Sequence, residues 1–318
     1  SGWACMEHYF KHEEKPIAGF SPDADFPIIN SEKGILIFSM EKDFAPGGGD
    51  GVTVESIKGG RRPNMVPDYC EAVLKSGDAK ALEAAAQRLT AYAAQNGYNM
   101  KAETGAGRVV IKSYGVSAHG STPEKGQNAI AQVLGFLNSI SLSGEGVREY
   151  IRDLAQKIGT ETDGKSLGLD LEDEVSGKLV FNLGQIELDQ NHGKVVINIR
   201  YPIKYKGEYV LSKLREALEG TGITIPDDVY DQPPLYVPED NFLIQKLKKV
   251  YEEVTGEEAE LISIGGGTYA RAIDNAVAFG PLLPGRPELA HERDEYIDID
   301  DLITITKIYA RAMYSLAE

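Results

Sequence analysis

One stretch constrains what this chain can fold into more than any other: residues 261–297, LISIGGGTYARAIDNAVAFGPLLPGRPELAHERDEYI. It reads as a strand, a triple-glycine turn, a short helix, a second strand over residues 276–280 and then a loop. The loop carries His291 and runs into Glu292, Asp294 and Glu295. Three successive glycines, Gly265, Gly266 and Gly267, give up backbone order that a plain loop has no need to lose. Such runs are tolerated where φ must be positive or where a ligand comes close to the backbone. Thr268 stands where it can cap the helix that follows. Exposed amides at a turn of this kind suit a carboxylate or a phosphate. A tight turn with no ligand fits the glycines equally well, because GGGT is neither a Walker loop nor a dinucleotide fingerprint.

Length and charge narrow the field. The chain has 318 residues, enough for two domains. A net charge of −16 argues against a nucleic-acid backbone as partner. No apolar run approaches the ~20 residues of a membrane span. The opening SGWACMEHYFKHEEKP lacks the basic start and apolar centre of a signal peptide. Cys5 and Cys70 give neither a disulfide framework nor a CxxC spacing, so both are expected as reduced, buried thiols and the chain as cytoplasmic.

Taken in order, the pattern changes twice. Trp3, Met6, Tyr9 and Phe10 are spaced as on an amphipathic helix. Between Lys33 and Pro234, GILIFSME, VTVESIKG, YCEAVLKS and GRVVIKSY alternate like half-buried antiparallel strands. ALEAAAQRLTAYAAQNG is an alanine-rich helix stopped at Asn96-Gly97, and KLVFNLGQIELD and KVVINIRYP pair across residues 190–193. This order fits two open-faced α+β sandwiches better than a parallel sheet. A proline-rich return, then FLIQKLKKVYEEVTG and a final helix from DIDDL, rejoin the first domain. The expected fold is thus an α/β domain from residues 1–32 and 235–318, with a two-sandwich α+β domain over 33–234.

Several polar residues stand out against this frame. Asp23 and Asp25 lie in PDADFP, where an acidic pair commonly forms a turn. His119 sits in AHGSTP between a strand and a helix start, with small residues around it that expose the ring. Asn64, in GRRPNMVPD, reads by itself as a turn former, and Arg61 and Arg62 as solvated turn charges. Arg200 ends the apolar strand VVINIR, where it either snorkels to solvent or meets an anion. His8, His12 and His192 match no ligand spacing beyond the i, i+4 pair, and are expected at the surface.

GGGTYAR, NAVAFGPLLPG, His-x-x-Asp-Glu-Tyr-Ile, PDADFP, AHGSTP and NIRYP together resemble the dinuclear zinc exopeptidases. The nearest likeness is to the PepV-type bacterial dipeptidases, in the clan that also holds aminoacylase, carnosinase and the acyl-amino-acid deacylases. The resemblance implies a catalytic α/β domain and a lid domain of two sandwich units. It gives His291 to one zinc and Asp23 to the other, so that the two would meet at the mouth of one sheet. It makes His119 a donor that polarises the scissile carbonyl, Asn64 a hydrogen-bond partner of the bound peptide, and Arg200 the clamp on the substrate carboxylate. Gly265, Gly266 and Gly267 form a second donor set. Two zinc ions are implied, with manganese or cobalt as substitutes, and a small peptide as substrate of a monomeric enzyme. In that family Ser-Gly-Trp directly follows a Glu-Glu pair, so the resemblance also implies that the general base and the remaining ligands precede Ser1. Removal of an N-acyl group from amino acids, and binding or assembly without catalysis, are the alternatives.

Overall fold

The computed structural model describes residues 4–45, 51–289 and 294–318. Internal contacts divide the chain into two units, one from residues 1–33, 173–176 and 234–318, the other from 34–172 and 177–233.

At the centre of the first unit is strand Ile28–Glu32, buried along its whole length. It pairs in parallel with Leu261–Ile264 and antiparallel with Ala276–Ala278 and Leu235–Tyr236. Gly19–Ser21 extends the sheet by pairing in parallel with Ala276–Ala278. Helices Phe242–Thr255 and Ile299–Ala317 pack on each other. Their apolar positions recur at helical spacing, Leu243, Leu247 and Val250 on one, Ile305, Ile308 and Ala312 on the other. These close over Phe26, Ile28, Val277 and Phe279. Asn241 caps the first helix by accepting from the Leu243 amide, and Gly256 stops it at φ 75°. The helix suggested by TYARAID is a single 3₁₀ turn, Tyr269–Ala272, because Ile273 is already extended for re-entry into the sheet. Helix Ala4–Tyr9 leaves Tyr9 exposed, and Trp3 lies outside the described residues.

The second unit is one antiparallel sheet of eight strands. Its order is Tyr230–Gln232, Gly34–Asp43, His192–Tyr201, Val180–Leu188, Thr53–Gly59, Tyr69–Lys75, Arg108–Tyr114 and Asn99–Gly105. Where the sequence suggests two separate open-faced sandwiches, the eight strands form one continuous sheet. The pairs Ile186↔Gly59, Glu187↔Lys58 and Leu188↔Ile57 make the seam. Fusing two sheets this way removes two exposed edges. One hydrophobic core spans both halves, from Ile197 and Phe38 to Leu74 and Ile111.

The hairpin between the long strands turns one residue earlier than QNHG suggests. Asp189 accepts from the amides of Asn191 and His192, and the strand resumes at His192. Ten consecutive pairs, from His192↔Asp43 to Tyr201↔Gly34, then fix the register of the last strand. Val195, Ile197 and Ile199 face the core, so Lys194, Val196, Asn198 and Arg200 share the opposite face. Among the described residues no helix is long and apolar enough to cross a membrane.

Candidate active site

In the first unit, a separate two-stranded pairing brings two of the singled-out stretches together. Ala24 and Asp25 pair in parallel with Pro281 and Leu282, so PDADFP runs alongside GPLLPG. The Ala24 amide donates to Gly280 O at 2.7 Å and the Phe26 amide to Leu282 O at 2.8 Å. Asp23 projects from the turn just before this pairing and is exposed. It lies close enough to Tyr269 for its charge to help raise the phenol, after a hydrogen bond and charge contribution from Cys5 and partial burial. Burial, and then the charge of Glu288, raise the carboxyl of Asp25. His291 lies outside the described residues, and so does its expected approach to Asp23.

The glycine turn does without positive φ. None of Gly265, Gly266 and Gly267 has a positive φ. A Cβ at Gly266 would meet Ile264 Cδ1 at 3.5 Å, an ordinary contact. Neither backbone conformation nor internal crowding therefore requires glycine at 266. Among the described residues the three amides donate no hydrogen bond. Thr268 caps as expected, its hydroxyl accepting from the Ala270 amide.

In the second unit, His119, Asn64 and Arg200 are joined by a continuous run of contacts. His119 forms a bridge with Met65, and the Gly120 amide donates to Asn64 O at 2.7 Å. Asn182 Nδ2 donates to Pro63 O and Met65 O, at 2.8 and 3.0 Å, and so holds the turn that carries Asn64. Gly184 lets that turn lie down, since a Cβ there would stand 2.4 Å from Pro63 O. Asn182 is directly opposite Asn198 in the ladder, and Asn198 Oδ1 accepts from Arg200 Nε at 3.2 Å. Asn182 and Asn198 are 1 % and 0 % exposed. Among the described residues, Asn182 Oδ1 and Asn198 Nδ2 are buried with no hydrogen-bond partner. One is an acceptor and the other a donor, on facing residues.

The state of the His119 ring follows from its neighbour. The Ser121 amide donates to Nδ1 at 3.2 Å, and Ser121 Oγ is 2.6 Å from the same nitrogen. An amide can only donate, so Nδ1 is an acceptor and the hydrogen-bond network assigns the proton of the neutral ring to Nε2. The His119 residue is exposed. Arg200, by contrast, is buried, which excludes the solvent-snorkelling reading.

The other described histidines have partners of their own. His192 bonds Asp43 at 2.7 Å, and the His8 and His12 rings sit edge to face at 5.0 Å. Among the described residues no group of three or more His, Cys, Asp or Glu could hold a metal ion. Sequence reading passed over Asn182, Asn198 and Glu32. The signal for the first two was a lone asparagine inside an apolar strand, in LVFNLG and VVINIR. Glu32 is fully buried at the end of strand Ile28–Glu32 and bonds Thr268 and Arg271.

The model of peptidase family M20/M25/M40 matches residues 17–315. A Bacillus subtilis protein named "Putative dipeptidase YtjP" is 41% identical over 320 residues, covering 100% of this chain and 67% of its own length. A Staphylococcus haemolyticus protein of the same description is 33% identical over 319 residues, covering 99% of this chain and again 67% of its own length. The crystal structure of aminopeptidase PepT from Bacillus cereus matches at a TM-score of 0.50 and 15% identity, covering 100% of this chain and 62% of that one. This last likeness concerns the fold alone.

Proposed function

This chain belongs to peptidase family M20/M25/M40, and from that premise we propose that it serves the hydrolysis of dipeptides, in the manner of the PepV-type enzymes. The relatives described as dipeptidases support the substrate class. The observation that carries the reading is the donor state of His119, held beside Asn64 and linked through Asn182 and Asn198 to Arg200.

Each residue then has a chemical task. His119 donates from Nε2 to the carbonyl oxygen as it gains negative charge. A donor of this kind is worth ~3 kcal/mol where it has been removed from other enzymes. Arg200 receives the free carboxylate, for which a planar guanidinium is matched two bonds at a time. Asn64 bonds the peptide group. In the first unit, the amides of Gly265, Gly266 and Gly267 are donors suited to a substrate carboxylate.

Peptidases of this family are generally metal dependent. We assign two zinc ions, replaceable by manganese or cobalt, with Asp23 and His291 each giving one ligand to a different ion. Asp23 fits such a role, since its carboxylate is exposed and makes no hydrogen bond or ion pair among the described residues. When bound, zinc supplies a water acidified to a pKa near ~7. The described residues do not gather a full ligand set by themselves.

The test is a substrate panel run with the purified protein and with added zinc. Cleavage of free dipeptides, with N-acetyl amino acids cut at least about tenfold more slowly in kcat/KM, supports the reading. Preference for N-acyl amino acids would replace it with a deacylase. No hydrolysis of either at any metal load would leave a binding role.

A further inference from the structure

The strand end that carries Glu32 and the turn that carries three glycines are locked by one buried ion pair. Glu32 is 0 % exposed and the Arg271 side chain 4 %. Glu32 Oε1 accepts from the Thr268 hydroxyl at 2.6 Å. Its Oε2 accepts from the Thr268 amide at 3.1 Å and from Arg271 Nε at 2.5 Å. Arg271 Nη2 then reaches back to Lys33 O at 2.6 Å and Gly266 O at 2.9 Å. Upstream of the turn, the Lys33 amide donates to Ile264 O at 3.0 Å, and Ile264 pairs with Glu32.

The turn is therefore held at its start, middle and end. Ile264 fixes the start, the Gly266 carbonyl the middle and Thr268 the end. A buried ion pair contributes little net stability over apolar residues of the same volume. What this one adds is direction. With the Gly266 carbonyl turned to the guanidinium, the three glycine amides donate to nothing among the described residues. They remain a preformed set of donors on a segment whose glycines would otherwise let it wander.

We propose that Glu32 and Arg271 are a positioning pair that presents the 265–267 amides to the carboxylate of the substrate, a role that rests on the dipeptidase reading above. Neither residue touches substrate. Both act through the turn, so their loss weakens binding of the free carboxylate more than it slows the chemical step.

The experiment uses the intact enzyme and two variants, Glu32→Gln and the double variant Glu32→Met/Arg271→Met. The second removes both charges at similar volume and remains informative if the first, which strands a buried guanidinium, does not fold. KM and kcat are measured for a dipeptide and for its C-terminal amide, and hydrogen exchange is followed over residues 261–272. In the double variant KM for the dipeptide rises about tenfold, kcat stays within about threefold, and the amide's KM changes less than about twofold. Exchange at residues 265–268 accelerates about tenfold while the second unit is unchanged. A folded double variant with an unaltered dipeptide KM overturns the proposal, whatever its exchange. So does an equal rise in KM for the amide. Failure of the parent enzyme to cleave any dipeptide sinks the dipeptidase reading instead. The exchange result then decides whether the pair holds the turn, and unchanged exchange overturns that too.

Discussion

The Gly120 amide donates to the carbonyl of Asn64 across 2.7 Å. That bond joins two loops which lie more than fifty positions apart in sequence and ties the His119 ring to the asparagine proposed to hold the peptide. The approach is so close that a side chain cannot enter it. A Cβ at residue 120 would stand 2.9 Å from the Asn64 carbonyl carbon and 3.0 Å from its oxygen.

Gly120→Ala is accordingly expected to separate His119 from Asn64 without unfolding the unit. The atoms it would meet belong to the Asn64 backbone, which must give by a few tenths of an ångström. Misplacement on that scale costs up to about a hundredfold in rate. We expect kcat/KM for dipeptides to fall by about tenfold to a hundredfold, with a far-ultraviolet dichroism spectrum like the parent's. Undiminished kcat/KM in the folded variant would show that the two loops need not be coupled.

Arg200 and Asn198 predict a graded pair of effects. Arg200→Lys keeps a positive charge and loses the fork, so KM for dipeptides should rise at least about tenfold with kcat little changed. Asn198→Ala removes the acceptor that orients Nε and should shift KM the same way by about threefold. Steady-state kinetics on both variants checks the order. A larger effect from Asn198→Ala than from Arg200→Lys would contradict the assignment of the clamp.

Periodicity made the elements legible and left their assembly open. The strands GILIFSME, VTVESIKG and YCEAVLKS and the helix stopped at Gly97 stand where alternation and capping put them. The seam between Val180–Leu188 and Thr53–Gly59 was not readable, because pairing between distant strands leaves no local pattern. TYARAID carried a helical composition, yet the sheet reclaims the chain at Ala276 and leaves one 3₁₀ turn. His119, Asn64 and Arg200 were singled out by motif likeness. The asparagines that link them were missed, since a buried amide inside a strand is recognised by what it bonds and not by its spacing.

The two cysteines should differ in reactivity. Both were expected to be buried, but Cys5 is exposed while Cys70 is completely enclosed between strands of the second unit. Burial, aided by the charge of Glu71, pushes the Cys70 thiol far above the usual range, so it presents no thiolate. A disulfide reagent should titrate one thiol per native chain and a second after denaturation. Two fast thiols in the native protein would place Cys70 at the surface.

Acid stability offers a test of the second unit's polar face. The Ser39 hydroxyl donates to Glu41 at 2.7 Å, and Lys194 lies 2.9 Å from the same carboxylate. The Ser39 bond foremost, then Lys194, hold the Glu41 carboxyl below its ordinary value of 4.5. A depressed carboxyl stabilises the fold fully above its unfolded value and ceases to do so as pH falls through the folded one. Ser39→Ala removes the largest cause and brings the folded value back toward 4.5. At pH 7 the variant should melt about 2–4 °C below the parent. Since protonated Glu41 gains little from Ser39, the difference should shrink as the pH is taken below 4.5. Melting curves of both proteins between pH 7 and about pH 3 measure it, and a gap that stays constant across that range would mean that the serine supports the strand by packing and not through the charge of Glu41.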